Sequence, residues 1–319
     1  MTRNILIFAA LFIAAHAAVQ EALRAAEPVK VLSINVRCSI AHDGDNDWIH
    51  RRDFMMNVVR QENYDFIGAQ EVITRDKDEL NQLRYMSDKL PEYAVTSRPR
   101  NKSGENDEAV PIWFRKDRWE LDEQQRGVFW LSDTPDAAGS ITWEGQSTCP
   151  RIVQWGLFHE KDKAGQRTGK CLYFYCTHFD HVGKEAQLKS SVLLAKTIAE
   201  RKEPKYPAVA VGDFNADENS PPIQYLLGQT VKSGEQKIKT PLVLKDTYAA
   251  LHHDDGSPAT YHGFKEPVNR HGRIDFIFVT DTLKVRQADI IRTKNDAGRY
   301  PTDHFPVSAE LTFERRKER

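Results

Sequence analysis

The chain has 319 residues, of which 40% are hydrophobic and 29% charged, and its formal net charge is −1. This composition is typical of a soluble globular protein long enough to bury a substantial core. A charge near zero lacks the basic excess that non-specific nucleic-acid binding requires, although a locally basic groove stays compatible with it.

The first 18 residues have the three regions of a signal peptide. Arg3 supplies a positive charge, residues 5–15 form an apolar run, and Ala15-His16-Ala17 is a small-x-small cleavage signal. A transmembrane anchor would need about 20 apolar residues, more than this run contains, and a buried N-terminal helix is the remaining alternative. We therefore predict an exported protein, secreted or periplasmic, without a transmembrane anchor.

Four cysteines follow this segment: Cys38, Cys149, Cys171 and Cys176. An even number in an exported protein permits disulfides. Cys171 and Cys176 lie five residues apart on an apparent strand, point to opposite faces and cannot easily pair with each other. A bond between Cys38 and Cys149 is geometrically freer, and four unpaired buried thiols are the equal alternative.

Residues 28–315 contain no internal repeat and no domain linker, which predicts one domain. The spacing of apolar residues predicts helices over 46–61 and 183–201. Asp76, with Glu79 three residues later, resembles a capping box that begins a helix running to about Lys89. Strand-like runs dominate the rest of the chain, which predicts two packed sheets with helices outside.

Five apolar, β-rich runs have a polar side chain at one end. The polar positions are Asn35 after residues 29–34, Glu71 after 64–69, His178 after 172–176, Asp213 after 208–211, and Asp275 before 276–279. Runs that are apolar on both faces are typical of strands covered on both sides. Groups at the ends of such strands are held on a rigid frame, where loops gather and ligands bind.

Each of these side chains alone has an ordinary structural interpretation, such as a turn, a cap or a buried histidine with its hydrogen bonds satisfied. Asp275 is the strongest case for function, because strand alternation puts it on one face with Ile277 and opposite Phe276. A carboxylate beside a buried run must be paired or bind a metal. His304 is a plausible partner, since a carboxylate on one imidazole nitrogen leaves the other nitrogen free as a base.

Phosphate-ester hydrolysis accounts for the whole set. The carboxylates of Glu71 and Asp303 and the amide of Asn35 are oxygen ligands of the kind that Mg²⁺ or Mn²⁺ prefers. An Asp or a His–Asp pair can activate water, and His178 and Asn215 can donate to the charged phosphate oxygens. A histidine-based zinc site is a weaker alternative, because the sequence lacks paired spacing such as His-Glu-x-x-His, and a serine hydrolase would need the missing Gly-x-Ser-x-Gly.

Six motifs, in order along nearly the whole mature chain, resemble the endonuclease/exonuclease/phosphatase superfamily, the DNase I-like enzymes. They are Ser-Ile-Asn-Val-Arg ending at Arg37, Gly-Ala-Gln-Glu ending at Glu71, Thr-His-Phe-Asp from Thr177, Gly-Asp-Phe-Asn from Gly212, Arg-Ile-Asp-Phe-Ile-Phe from Arg273 and Thr-Asp-His-Phe-Pro from Thr302. The resemblance implies an α/β fold, a four-layer α/β sandwich in which two packed mixed β-sheets are flanked by helices.

The resemblance also implies a metal site and a catalytic pair. Glu71 is similar to the family's principal metal ligand, with Asn35 and Asp303 nearby, and Mg²⁺ is the expected ion, with Mn²⁺ as the alternative. His304, oriented by Asp275, resembles the catalytic His–Asp pair of the family.

Further roles follow from the same resemblance. Asp213 and Asn215 resemble the pair that positions the nucleophile, and His178 resembles the donor to the scissile phosphate. Both Asp213 and His304 stay candidates for the base that deprotonates water. Arg151 is either a further phosphate contact or part of a structural ion pair.

Finer features resemble exported bacterial members of the superfamily: Asp47-Trp48 followed by Arg51-Arg52, and Thr-Tyr-His-Gly-Phe from Thr260. The second segment places His262 either at the rim of the site or, as we expect, in a solvated loop. Thr302 stands where serine is commoner, and its hydroxyl is retained.

We therefore predict a monomeric phosphoesterase whose substrate is a nucleic acid, a nucleotide, a sugar phosphate or a lipid headgroup. A sphingomyelinase-like lipid hydrolase is one alternative. It would need an exposed aromatic hairpin, for which residues 127–131 are the one candidate, and we interpret that run as core packing. A non-catalytic binding protein on the same fold is the other, and it should show a broken catalytic motif, whereas all six motifs are intact.

Overall fold

A computed structural model describes residues 27–314 except 76–78, 254–255, 257, 267 and 269–271. The predicted signal peptide and Asp76 therefore lie outside the described residues. The described helices are α1 (Trp48–Val59), α2 (Gln82–Lys89), α3 (Lys184–Ala199) and α4 (Pro221–Leu226), and a short 3₁₀ helix (Gly44–Asn46) precedes α1.

The described strands form two six-stranded sheets and two small ribbons. In chain order they are β1 (Val29–Asn35), β2 (Phe66–Gln70), β3 (Val72–Ile73), β4 (Tyr93–Thr96), β5 (Glu108–Ala109), β6 (Ile112–Arg115), β7 (Trp119–Trp130), β8 (Ile152–Lys161), β9 (Arg167–His178), β10 (Ala208–Asp213), β11 (Val231–Ser233), β12 (Gln236–Ile238), β13 (Lys245–Asp246), β14 (Asp275–Val279), β15 (Leu283–Ile290) and β16 (Val307–Phe313).

Both large sheets are mixed. The first has the order β15-β16-β1-β2-β6-β4, with β1 parallel to β2 and antiparallel to β16. The second has the order β13-β14-β10-β9-β8-β7, with β10 parallel to β9 and antiparallel to β14. Each sheet thus has a parallel pair at its centre, and the carboxyl ends of each pair lie at one edge.

Three separate hydrophobic clusters show that the molecule has four layers. The cluster between the sheets includes Phe66, whose ring lies 5.0 Å from Phe158 and 4.9 Å from Phe174 between centroids. A second cluster packs α1 and α2 on the outer face of the first sheet, and a third packs α3 and α4 on the outer face of the second. The predicted four-layer α/β sandwich is confirmed.

Strand alternation in β14 follows the prediction. Ile277 and Val279 belong to the cluster between the sheets, whereas Phe276 and Phe278 belong to the outer cluster beneath the helices. Asp275, two residues before Ile277, therefore begins on the face that looks between the sheets.

The predicted helix boundaries need correction at α2. Glu79 lies in a turn and the helix begins at Gln82, because Asn81 is its N-cap and accepts a hydrogen bond from Arg84 N at 2.8 Å. Asparagine is among the strongest N-cap residues, so the cap nearest the helical residues decides where the helix begins. The other two predicted helices are each shorter by one to two residues at both ends.

The aromatic run over residues 127–131 lies in the core, as we interpreted it. Phe129, Trp130 and Leu131 are buried in the two clusters that cover the second sheet, so the run offers no exposed aromatic hairpin for a membrane surface. Within the described part of the chain, no helix is both long and apolar enough to cross a membrane.

All four cysteines are free thiols. Cys171 and Cys176 are buried on opposite faces of β9, one in the outer cluster and one between the sheets, as predicted. Cys38 and Cys149 are half-buried, and the disulfide considered between them is not formed.

Gly68 makes the close approach of the two sheets possible. A Cβ atom at this position of β2 would lie 2.4 Å from Val211 Cγ2 of β10 and 3.0 Å from Cys176 Sγ of β9.

We expect Gly68→Ala to destabilise the protein by about 1–3 kcal/mol, because overpacking forces the sheets apart. Adding Val211→Ala should restore part of this loss by making room. Urea unfolding of the single and double variants measures both, and additive losses would contradict the account.

Candidate active site

The catalytic motifs meet because the central strands of both sheets end at the same edge of the sandwich. Asp213, the last residue of β10, lies opposite His178 on one neighbouring strand and opposite Asp275 on the other. In the first sheet, Asn35 at the end of β1 lies opposite Gln70, directly before Glu71. Side chains from both sheets therefore share one buried space.

Asn35 connects the two halves of this space. Its Nδ2 donates to Glu71 Oε1 and to Asp213 Oδ2, each at 3.0 Å, and its Oδ1 accepts from Arg37 N at 2.9 Å. The side chain is fully buried, so each of these bonds also satisfies a group that water does not reach.

Glu71 is held ionised inside the protein. Burial would raise the pKa of its carboxyl, but the charge of His178 and the hydrogen bonds from Asn35 and from Cys38 N lower it to about 2. The backbone of Glu71 has φ +60°, a left-handed conformation that costs a side-chain-bearing residue about 1 kcal/mol or more. The turn that aims this carboxylate into the site is therefore strained.

His304 and Asp275 form the predicted pair. His304 Nδ1 lies 2.9 Å from Asp275 Oδ2, and because the carboxylate accepts, the ring donates there and directs Nε2 toward Asp213 Oδ2 at 3.7 Å. Burial raises the pKa of Asp275 to about 6. Burial opposes charging of His304, yet Asp275, Asp213 and Asp303 raise its pKa well above the ordinary value.

Ligand atoms of Asp213, Asp275 and His304 all lie within 4.8 Å of one another, a spacing that a metal ion could also span. We interpret His304 and Asp275 as a hydrogen-bonded pair that faces Asp213, whose Oδ2 lies 3.7 Å from His304 Nε2. The Nδ1 atom of His304 is already at hydrogen-bond distance from Asp275, and the backbone N of Asp275 donates to Thr260 Oγ1 at 3.1 Å.

His178 approaches Asp213 from the opposite direction. Its Nε2 lies 3.5 Å from Asp213 Oδ2, while its Nδ1 faces both Arg151 Nη1 at 3.0 Å and Glu108 Oε1 at 3.3 Å. A neutral ring that accepts from Arg151 carries its proton on Nε2, and a charged ring carries protons on both nitrogens. Both of these states present an Nε2–H donor to the site, whereas a neutral ring that donates from Nδ1 to Glu108 would leave Nε2 as an acceptor. The role of His178 as a donor to phosphate stays a prediction.

Arg151 takes part in an ion pair, which is one of the two roles that the sequence analysis offered for it. Its guanidinium contacts His178, reaches His181 Nδ1 at 2.9 Å from Nη2, and lies 3.6 Å from Glu108 Oε1. Its Nε is buried without a hydrogen-bond partner among the described residues, which leaves one donor for a ligand. The predicted phosphate contact stays a prediction.

Glu108 is a site residue that the sequence analysis missed. It is buried beside Arg100 Nη1 at 2.8 Å, and although burial opposes ionisation, the bond to His178 and the charge of Arg100 lower its pKa. The signal was present, since Glu108 directly precedes an apolar run, the arrangement seen at Asp275. It was overlooked because the residues before it form a polar loop.

Asn215 is held by two hydrogen bonds to the residues around it, and its predicted role as a donor to phosphate stays a prediction. Its N donates to Asp213 Oδ1 at 2.9 Å, which is the Asx-turn that the structural alternative described, and its Nδ2 donates to Phe179 O at 3.1 Å. The residue thus fixes the carboxylate of Asp213 and ties two loops together. Its φ of +50° is common for asparagine in turns.

Asp303 is held near Glu71 by the loop that carries His304. Thr302 Oγ1 donates to Asn35 O at 2.7 Å, so this loop is fastened to the end of β1, and Arg37 Nε lies 3.8 Å from Asp303 Oδ2. Burial, together with the charge of Glu71, raises the pKa of Asp303.

The donor set of this corner fits a hard divalent cation. Glu71 and Asp303 are neighbouring carboxylates whose repulsion a cation would relieve, and the Asn35 amide oxygen keeps a second lone pair beyond its bond to Arg37 N. Oxygen ligands of this kind are those preferred by Mg²⁺ or Mn²⁺. The residues predicted as metal ligands therefore fit the ion.

The expectation that His262 is a solvated loop residue is wrong. Its side chain is only 5% exposed and packs between Tyr300 and Phe305, with ring centroids 4.3 and 4.4 Å away, and burial lowers its pKa to about 4. Its backbone N donates to Asp303 O at 3.0 Å. His262 thus lies at the rim of the site, the other position considered for it.

Comparisons with known proteins agree with this arrangement. Residues 32–304 match the Endonuclease/Exonuclease/phosphatase family. The solved structure of a family member from Bacteroides vulgatus is 31% identical, with 90% of this chain and 99% of that one covered and a TM-score of 0.74. The mannosyl-6-phosphatase of Bacteroides thetaiotaomicron is 30% identical, with 89% and 100% covered and a TM-score of 0.70.

The chain also matches an uncharacterised protein of Acanthamoeba polyphaga mimivirus at 29% identity over 172 residues, which is 54% of this chain and 60% of that relative. The family match over most of the chain is the decisive finding. The protein belongs to the endonuclease/exonuclease/phosphatase family, whose members are hydrolases that act on phosphoester bonds.

Glu108 offers a test of how the site is held together. We expect Glu108→Gln to lower kcat for phosphate-ester hydrolysis by roughly 10–100-fold, the usual effect of removing a group that positions a catalytic residue. The substitution removes the charge that faces His178 and Arg151. Initial rates with a nitrophenyl phosphate measure the effect.

Glu160→Gln is the matched control, because Glu160 is a buried carboxylate that pairs with Arg118 at 2.9 Å outside the site. A loss of activity equal to that of the control would show that Glu108 has only a structural role.

Proposed function

We propose that the protein is a Mg²⁺-dependent phosphoesterase that hydrolyses a phosphate ester by attack of an activated water outside the cytoplasm. The observation that carries this proposal is the arrangement around one atom, Asp213 Oδ2. Asn35 Nδ2 donates to it, and the Nε2 atoms of His178 and His304 face it at 3.5 and 3.7 Å.

Asp213 is the group we propose to orient the attacking water and to accept its proton. Its carboxylate is fixed by Asn35 on one oxygen and by Asn215 N on the other, so it cannot swing away. The distances to the two imidazole nitrogens exceed a normal hydrogen bond and are compatible with a small bridging group. His304 remains the second candidate for the base.

The two histidines are proposed to stabilise negative charge that develops on the phosphoryl oxygens. Both direct an Nε2 atom into the same space, and both are held from behind through Nδ1, His304 by Asp275 and His178 by Arg151 and Glu108. Donors fixed in place before the reaction act most strongly in a site that excludes water.

Glu71, Asp303 and Asn35 are proposed to hold the metal. Bound there, a divalent ion would polarise a phosphoryl oxygen and neutralise developing charge. The contribution of the chain is to keep the Glu71 carboxylate charged and aimed, through Asn35 Nδ2 and Cys38 N.

Export is proposed on the sequence of residues 1–18, whose charged, apolar and small-residue regions are in the order of a signal peptide. The similarity to a mannosyl-6-phosphatase over nearly the full length of both chains supports a phosphomonoester as one substrate class.

Metal dependence is tested directly with purified protein. We expect hydrolysis of a nitrophenyl phosphate in the presence of Mg²⁺, its loss on adding a chelator and its return with excess Mg²⁺. Glu71→Gln should raise the Mg²⁺ concentration required for half-maximal activity by at least about tenfold, because one charged ligand is lost.

Glu160→Gln again serves as the control for loss of a buried carboxylate and should leave the Mg²⁺ requirement unchanged. Activity that survives exhaustive chelation would contradict the metal assignment, and an unchanged Mg²⁺ requirement in Glu71→Gln would show that the ion binds elsewhere.

Export is tested by the N-terminus of the mature protein. Expressed with its full sequence in a bacterial host, the protein should be recovered outside the cytoplasm with an N-terminus at about residue 18 or 19 by mass spectrometry. Recovery of intact protein from the cytoplasm, beginning at Met1 or Thr2, would contradict the proposal.

A further inference from the structure

A polar pocket lies beside the candidate active site. Its volume is about 300 Å³, near the lower limit of roughly 300 Å³ for small-molecule sites. The lining residues are Asp45, Asn46, Phe264, Glu266, Gly298, Arg299 and Tyr300. None of them was assigned a role in phosphate hydrolysis above.

Two walls of the pocket continue directly into the loop that carries Asp303 and His304. Arg299 and Tyr300 stand three to five residues before these two residues in the chain. The wall that carries Phe264 is fastened to the same loop, because the backbone N atoms of His262 and Gly263 donate to Asp303 O at 3.0 and 3.1 Å. The walls of the pocket are therefore connected to the segment that carries Asp303 and His304.

Arg51 connects the third wall to the same frame. Its guanidinium is buried and donates to Asn46 O at 2.9 Å, to Pro301 O at 3.1 Å and to Arg37 O at 2.8 Å. One side chain thus joins the 3₁₀ helix of the pocket, the loop before Asp303 and the segment after Asn35. The pocket and the catalytic groups are held in a fixed relation.

The chemistry of the lining indicates a polyhydroxylated ligand. The lining combines the carboxylates of Asp45 and Glu266, the amide of Asn46 and the guanidinium of Arg299 with the rings of Phe264 and Tyr300. Sugar hydroxyls both donate and accept, so they can bond carboxylate and guanidinium together, and the C–H faces of a sugar ring pack on aromatic rings. Several of these groups already pair: Arg299 Nη2 lies 2.9 Å from Asp45 Oδ2, and Tyr300 bonds Glu266.

The same charges disfavour the other substrate classes. Arg299 is paired with Asp45 at 2.9 Å, and Lys294 Nζ is paired with Glu266 at 2.5 Å. The described lining therefore offers no unpaired positive charge to a second phosphate, which a polynucleotide would bring close to the first. A pocket lined mostly by charged and polar groups offers little apolar surface to a lipid chain.

We propose that this pocket binds the leaving group of the substrate, and that this group is a single neutral sugar, so that the substrate is a sugar phosphate monoester. This inference rests on the proposed phosphoesterase function. Water attacks phosphorus, the P–O bond to the sugar breaks, and the sugar leaves as the free alcohol with one proton while inorganic phosphate is released.

The test compares substrates and variants in one assay of phosphate release. Mannose 6-phosphate and glucose 6-phosphate are compared with a nitrophenyl phosphate, which has no sugar, and with bis(nitrophenyl) phosphate, a diester. We expect at least one hexose phosphate to have the highest kcat/KM. Arg299→Ala and Glu266→Gln should lower the ratio of hexose phosphate to nitrophenyl phosphate kcat/KM by about tenfold, mainly through KM, because hydrogen bonds to a charged group are lost.

Arg167→Ala is the matched control. Arg167 pairs with Glu120 at 2.8 Å, and its side chain is about as exposed as that of Arg299. It is the first residue of β9, whereas His178 is the last, so it lies far from the candidate site. It should leave the ratio unchanged. A ratio unaffected by Arg299→Ala and Glu266→Gln, or a preference for the diester, would overturn the sugar pocket while the phosphoesterase function stands. Inactivity toward every ester would overturn both.

Discussion

The site depends on one hydrogen-bonded amide that spans the two sheets. Asn35 donates one proton to Glu71, which directly follows β2 of the first sheet, and the other to Asp213, the last residue of β10 in the second. A carboxylate on each side can share one buried amide only if β1 and β10 end at the same depth. The close packing of the sheets at Gly68 and Val211 sets that depth, so the fold and the chemistry share a single constraint.

Around this amide the protein holds several carboxylates closer together than they would be in water. Burial, together with a neighbouring carboxylate, raises the pKa of Asp275 and of Asp303, and the backbone at Glu71 is left-handed. Strained residues and crowded charges persist where the surrounding structure holds them in place, which is common at functional sites. Here two buried arginines do so, Arg51 through backbone carbonyls and Arg151 through the histidines.

The strand and helix patterns predicted two packed sheets with helices outside, and the resemblance of six motifs to a known family implied the four layers and the roles of the site residues. The side chains that meet at the candidate site were found because their signal is local. A buried strand that ends in a polar residue can be recognised from its own residues, as at Asn35, Asp213 and Asp275. Glu108 carries the same signal, because it directly precedes an apolar run, but the polar loop before it makes the strand end hard to identify. The packing of His262 could not be recognised in this way, because its ring contacts come from Tyr300 and Phe305, far away in the sequence. The α2 boundary was wrong because Asn81, closer to the helical residues, is the N-cap.

The most direct test of the account is the turnover of Asp213→Asn with saturating Mg²⁺ and a nitrophenyl phosphate. Asparagine keeps the size of the side chain but cannot take a proton from water. Its single oxygen can accept from either Asn35 Nδ2 or Asn215 N, so one of these two hydrogen bonds is lost. The account predicts that kcat falls at least about 10²-fold. The melting temperature should fall by no more than a few degrees, which shows that the variant is folded. Turnover within a fewfold of the wild type would contradict the central role given to Asp213.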